Sequence, residues 1–171
     1  MSRPEPRRCP SRCRPLLVLL SLTLGLGGCF ADQPQPLDGL NRQLEASGSS
    51  SRAPSLSSRW LALITTRDNR QILDLIDLTS GRPVPVPGLN RPDAQPLAVS
   101  VDDSGRRLAL IRQRDGSTEL LLHRVEAGSN EPIPIHPAGV PEGLGLSADG
   151  RTLAVQVSRQ GRHQIDLITL P

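Results

Sequence analysis

Three copies of one short pattern occupy the last two-thirds of this chain of 171 residues. They read Arg59-Trp60-Leu61-Ala62-Leu63-Ile64, Arg106-Arg107-Leu108-Ala109-Leu110-Ile111 and Arg151-Thr152-Leu153-Ala154-Val155-Gln156, so that the same apolar strand returns after 47 and then 45 residues. Each copy passes through a polar turn (Arg67-Asp68-Asn69-Arg70, Arg114-Asp115-Gly116-Ser117, Arg159-Gln160-Gly161-Arg162) into a second apolar strand. A hairpin repeated at this period is one unit of a stack. It cannot bury its apolar faces alone and must bury them against its neighbours.

Further extended pieces flank the hairpins. Pro96–Val101 precedes the second copy and Leu144–Leu146 the third, while Pro83-Val84-Pro85-Val86-Pro87 and Pro132-Ile133-Pro134-Ile135 follow the first and second. Proline has no amide to donate to a ladder, so the two proline runs read as edge strands with valine or isoleucine packing on one side. The repeat is then a four-stranded meander. The first copy lacks an obvious innermost strand and the third an outermost one. The turn at Asp115-Gly116 is expected to close a tight hairpin that places Leu108, Leu110, Leu120 and Leu122 on one buried face.

The front of the chain has a different character. Arg3, Arg7, Arg8, Arg12 and Arg14 precede an apolar run from Leu16 to Leu26. That run is shorter than the roughly 20 residues a spanning helix needs, and a basic stretch followed by an apolar one of this length reads as a secretory signal peptide, residues 1–28. Leu26-Gly27-Gly28-Cys29 closes it and resembles the lipobox of bacterial lipoproteins. The resemblance implies lipidation at Cys29, which would become the first residue of the mature chain and hold it to a membrane. Cleavage there leaves 15 arginines against 16 acidic residues, a net charge of −1 in place of +3. With no lysine and only one Trp and one Phe, the chain has no footprint for nucleic acid. Cys9 and Cys13 leave with the signal, so no thiol remains for a disulfide or a metal. Residues 29–56, rich in Pro, Gln, Gly and Ser, read as a flexible, disordered linker with at most a helical turn or two near Pro36 to Ala46. Residues 57–171 form the repeat domain.

The second and third copies resemble the propeller repeats of the TolB family, relatives of WD repeats. Ser147-Ala148-Asp149-Gly150-Arg151-Thr152-Leu153-Ala154-Val155 matches that family's Ser-Pro-Asp-Gly turn and Ile-Ala-Phe strand, with Ala148 for the proline and Val155 for the aromatic. Asp102-Asp103-Ser104-Gly105-Arg106-Arg107-Leu108-Ala109-Leu110 keeps the glycine and the Leu-Ala. The first copy keeps only the strands from Trp60 onward. The resemblance implies an all-β fold of about three antiparallel, four-stranded propeller-type blades, an incomplete TolB-like propeller preceded by the signal peptide and linker.

No constellation for catalysis appears: there is no Gly-x-Ser-x-Gly elbow, and no cysteine nucleophile outlasts processing. His123, His136 and His163 fall at different places in the repeat and share no ligand spacing with a carboxylate, so no metal or cofactor is expected. Arg67, Arg70, Arg112, Arg114, Arg159 and Arg162 flank the hairpin turns, where a rim of guanidiniums would grip carboxylates of a peptide or an anionic polymer unless it is simply solvated. The resulting expectation is an exported, lipid-anchored, non-catalytic binding or scaffold protein of the cell envelope, meeting an envelope protein or peptide. An enzyme or enzyme accessory and a degenerate remnant without a partner stay open. Asp74 and Asp166 hold the repeat position where the middle copy has Leu121. Because an unpaired carboxylate at a seam is costly, a monomer is expected rather than a homodimer closed head to tail into a six-bladed ring.

Overall fold

A computed structural model describes residues 34–171; the segment read as a signal peptide, residues 1–28, and Cys29 lie outside these described residues. Asp38–Pro171 forms one compact unit. It begins with a helix, α1 (Asp38–Ala46), where a turn or two was expected, and continues in eleven strands: β1 (Ser51–Leu56), β2 (Trp60–Arg67), β3 (Arg70–Asp77), β4 (Arg82–Val84), β5 (Ala94–Val101), β6 (Arg107–Arg114), β7 (Ser117–Arg124), β8 (Ser129–Pro132), β9 (Val140–Leu146), β10 (Thr152–Arg159) and β11 (Arg162–Thr169). They make three antiparallel meanders in chain order, β1-β2-β3-β4, β5-β6-β7-β8 and β9-β10-β11.

Each central hairpin turns through two residues with positive φ: Asp68 and Asn69, Asp115 and Gly116, Gln160 and Gly161. Two consecutive left-handed residues match the right-handed twist of the flanking strands, and all three ladders are in register to the last pair, Arg67↔Arg70, Arg114↔Ser117 and Arg159↔Arg162.

Three expectations need correction. The first sheet does have an innermost strand, β1, which lies inside the segment read as linker. Its sequence, Ser-Arg-Ala-Pro-Ser-Leu, offers little apolar signal and makes a strand because β2 pairs along it, with a register shift between Arg52 and Ser55. The second outer strand is Ser129–Pro132, which takes in only the first residue of the Pro-Ile run; Ile133 and Ile135 pack against the second core cluster. The buried face of the middle hairpin is also different. Residues opposite one another share a face of an antiparallel pair, and the pairs are Leu110↔Leu121 and Ile111↔Leu120. Leu108, Leu110 and Leu121 therefore face the first sheet, and Ala109, Ile111, Leu120 and Leu122 face the third.

The middle sheet is thus buried on both faces, which is why Leu108–Ile111 and Leu120–Leu122 are unbroken apolar runs with no alternation. Toward the first sheet its residues meet Ala62, Ile64, Leu73 and Leu75. Toward the third they meet Leu153, Val155, Val157 and Leu170.

Polar links repeat between the sheets. Ser55 Oγ accepts the Val101 amide at 3.1 Å, and one repeat later Ser100 Oγ accepts the Leu146 amide at 2.9 Å. Trp60, the first residue of β2, covers Gly105 so closely that a Cβ there would lie 2.3 Å from the ring. Arg107, the first residue of β6, covers Gly150 in the same way and donates to its carbonyl at 2.9 Å. Glycine is required at both turns by contact and by φ, +68° and +69°.

Candidate functional site

The three hairpin turns carry the arginines singled out above, and the structure shows where each guanidinium goes. Arg67 donates to Asp74 at 2.7 Å, and Thr65 donates to the same oxygen at 2.7 Å. Arg112, only 5% exposed, donates to Glu119 at 2.9 Å. Arg114 lies 3.4 Å from both Asp93 and Asp115. Arg159 holds Asp166 with both of its terminal nitrogens. Among the described residues only Arg70 and Arg162 of this set have no carboxylate against them. The rim is therefore largely neutralised from within, and it does not present a ring of free cations.

What the rim does present is a cleft. Between the turns of the first and second sheets lies an open hollow of about 490 Å³ lined by Thr66, Gln71, Gln95, Gln113, Asp93 and Arg114, among others. Gln95 donates to the Gln71 side chain at 3.2 Å, and Arg52 donates to Gln71 from β1 and to the carbonyls of Pro96 and Leu97 at 2.9 Å. The β5 bulge at Pro96–Ala98 leaves these carbonyls free for Arg52. Four primary amides line the hollow, those of Asn69, Gln71, Gln95 and Gln113, and supply both donors and acceptors beside the carboxylates of Asp93 and Asp115.

The histidines are dispersed. His123 is fully buried, its Nδ1 3.0 Å from Asn130 Oδ1, with Nε2 unpartnered among the described residues. Asn130 in turn donates to the Gly88 carbonyl at 2.9 Å, so this ring pins the connection leaving the first sheet. Burial lowers the His123 pKa below the ordinary imidazole value. His163 is exposed and lies 2.8 Å from Glu142, and His136 precedes Pro137. Among the described residues no three His, Cys, Asp or Glu side chains gather in a way that would hold a metal ion, and no helix is long and apolar enough to cross a membrane.

One surface was missed in the sequence. On the third sheet the face turned away from the middle sheet exposes Val140 (52%), Ile165 (65%) and Leu167 (74%) beside Gly143, Gly145 and Ala154.

No family model matches the chain, and no curated protein matches it in sequence. Solved structures do. TolB from Acinetobacter baumannii is similar over 68% of this chain and 29% of its own, with a TM-score of 0.53 and 17% identity. The β-propeller domain of the Trilobed protease from Pyrococcus furiosus, described as having an open velcro topology, is similar over 70% of this chain and 38% of its own, with a TM-score of 0.51 and 14% identity. The three meanders are β-propeller blades. This chain supplies about three blades and spans well under half the length of either similar structure.

Proposed function

We propose that the chain is an exported, lipid-anchored, non-catalytic binding module of the bacterial envelope, whose blades contact an extended protein segment through the cleft between the first two hairpin turns. The observation that carries this reading is the amide-lined hollow of Gln71, Gln95 and Gln113, placed on strands and flanked by Arg114, already paired within the chain, and by Arg70, which has no carboxylate against it. Such a site recognises peptide groups more than charge. The membrane attachment rests on the basic stretch, the apolar run and Leu26-Gly27-Gly28-Cys29.

A photo-crosslinking residue at Gln113, with Arg124 on the same sheet as a comparison site, tests the binding site in intact cells. The expected result is one dominant adduct from position 113, lost when Gln71 and Gln95 are both changed to Ala; equal labelling from both positions would reject it. Labelling with a clickable fatty acid tests the anchor. Cys29→Ser is expected to take up no label and to leave the membrane fraction.

A further inference from the structure

The cleft between the first two hairpin turns carries one positive charge more than it matches. Arg114 lies 3.4 Å from both Asp93 and Asp115, and Arg91 donates to Asp93 from two nitrogens at 2.9 and 3.2 Å. These two arginines balance the two aspartates. Arg67, opposite Arg70 in the last pair of the β2–β3 ladder, is taken by Asp74. Arg70 remains: it is exposed, it lines the cleft, and among the described residues it has no carboxylate against it.

The neighbouring amide is oriented to match. A guanidinium can only donate, so the Gln71 atom that meets Arg52 is the oxygen, Oε1. Gln95 donates to that same oxygen at 3.2 Å. Both contacts draw on the Gln71 carbonyl and leave its NH2 group open on a half-buried side chain that lines the hollow beside Arg70. Arg52 is itself spent, because its other bonds go to the carbonyls of Pro96 and Leu97 at 2.9 Å. It orders Gln71. The first two side chains of β3 therefore offer the cleft a guanidinium and an amide NH2, both donors.

We infer that Arg70 and the Gln71 NH2 group form a carboxylate subsite, so that the segment held in the cleft is set in register by one acidic group. The inference rests on the cleft being the binding site. A carboxylate only accepts, and a guanidinium can meet both of its oxygens in parallel. The amides of Asn69, Gln95 and Gln113 both donate and accept, as peptide groups require, and the single charge places the segment along them. A doubly charged phosphate group fits less well: Asp93 and Asp115 line the same hollow and oppose it, while Arg70 supplies one charge. The carboxylate belongs to an Asp or Glu side chain or to a chain end.

Fluorescence anisotropy of labelled pentapeptides on the detergent-solubilised full chain tests the subsite and separates these sources. Three probes carry an uncharged dye at the amino end: Thr-Val-Asp-Val-Thr-amide, the same peptide with Asn for Asp, and the Asn peptide with a free terminal carboxylate. The native chain is expected to bind a carboxylate probe about two- to fivefold more tightly than the Asn amide, the size of one exposed charge pair. Preference for the Asp probe assigns a side chain, and preference for the free-end probe a chain terminus. Arg70→Gln is expected to abolish the preference and to bind the Asn amide as before. Arg162→Gln, at the other arginine without a carboxylate, is expected to keep it. Equal binding of the three probes overturns the subsite; if that binding is lost in Gln71→Ala with Gln95→Ala, the cleft stands as the binding site without it. A preference that survives Arg70→Gln, or falls equally with Arg162→Gln, also overturns the subsite. Absence of binding by every probe overturns both the subsite and the cleft.

Discussion

Arg159 grips Asp166 with both ends of its guanidinium inside the seam between the second and third sheets, where the arginine side chain is only 9% exposed. The pair repeats the spacing of Arg67 and Asp74 in the first sheet, and the middle sheet replaces the aspartate with Leu121. The Arg159 hydrogen bond holds the Asp166 carboxyl below the ordinary carboxylate range. A lowered folded pKa contributes stability that is present above the unfolded value, about 3.9, and is lost as pH falls through the folded one. Chemical denaturation is expected to show a larger loss for Arg159→Ala than for Arg159→Ala with Asp166→Leu, because the double change leaves no carboxylate without its partner.

Gly105→Ala meets two obstacles, a left-handed φ of +68° and the Trp60 ring 2.3 Å from the new Cβ. The expected cost is about 2–4 kcal/mol. Gly116→Ala, at φ +76° with open space around it, is expected to cost about 1 kcal/mol. Trp60 is the only tryptophan, so its fluorescence reports the displacement directly and is expected to shift for Gly105→Ala alone.

His123 is expected to make the fold sensitive to mild acid. Its imidazole is neutral and buried, with a folded pKa below the unfolded value of about 6.5, so its stabilisation is complete above that pH and is lost as pH falls through the folded value. Ile76 and Ile168 hold the same position in the other sheets. His123→Ile is therefore expected to flatten the decline in melting temperature between pH 7 and pH 5, and an unchanged decline would place the sensitivity elsewhere.

Ser100→Ala removes the acceptor for the Leu146 amide at a position 7% exposed. Leaving a buried amide unpaired costs about 1–3 kcal/mol, and the partly buried Leu146 amide is expected at the low end of that range. Thr118→Ala, in the partly exposed end of β7, serves as the comparison and is expected to cost a few tenths of that.

The hairpins were legible because each spends two residues on a turn with no alternative geometry and eight on each strand. The number of sheets followed from the same count. β1 was not legible, since Arg52, Ala53 and Pro54 carry no strand signal and gain their conformation from β2 alone. The face of Leu110 was misread because a sheet covered on both sides shows no alternation. The cleft at Gln71, Gln95 and Gln113 could not be found from spacing either: those glutamines come from three strands of two sheets, and glutamine has no local signature when it is assembled across a seam.

The serine links run one way along the chain. A hydroxyl in each innermost strand accepts an amide of the following one, so the exchange lifetime of the Val101 amide is set by the integrity of the first sheet and that of Leu146 by the second. Opening of β1 alone should unprotect Val101 while Leu146 stays protected, and opening of the middle sheet should unprotect both. Deuterium uptake would then resolve the stack as an ordered relay from the amino-terminal sheet onward, with Gly145 as the point where the relay ends.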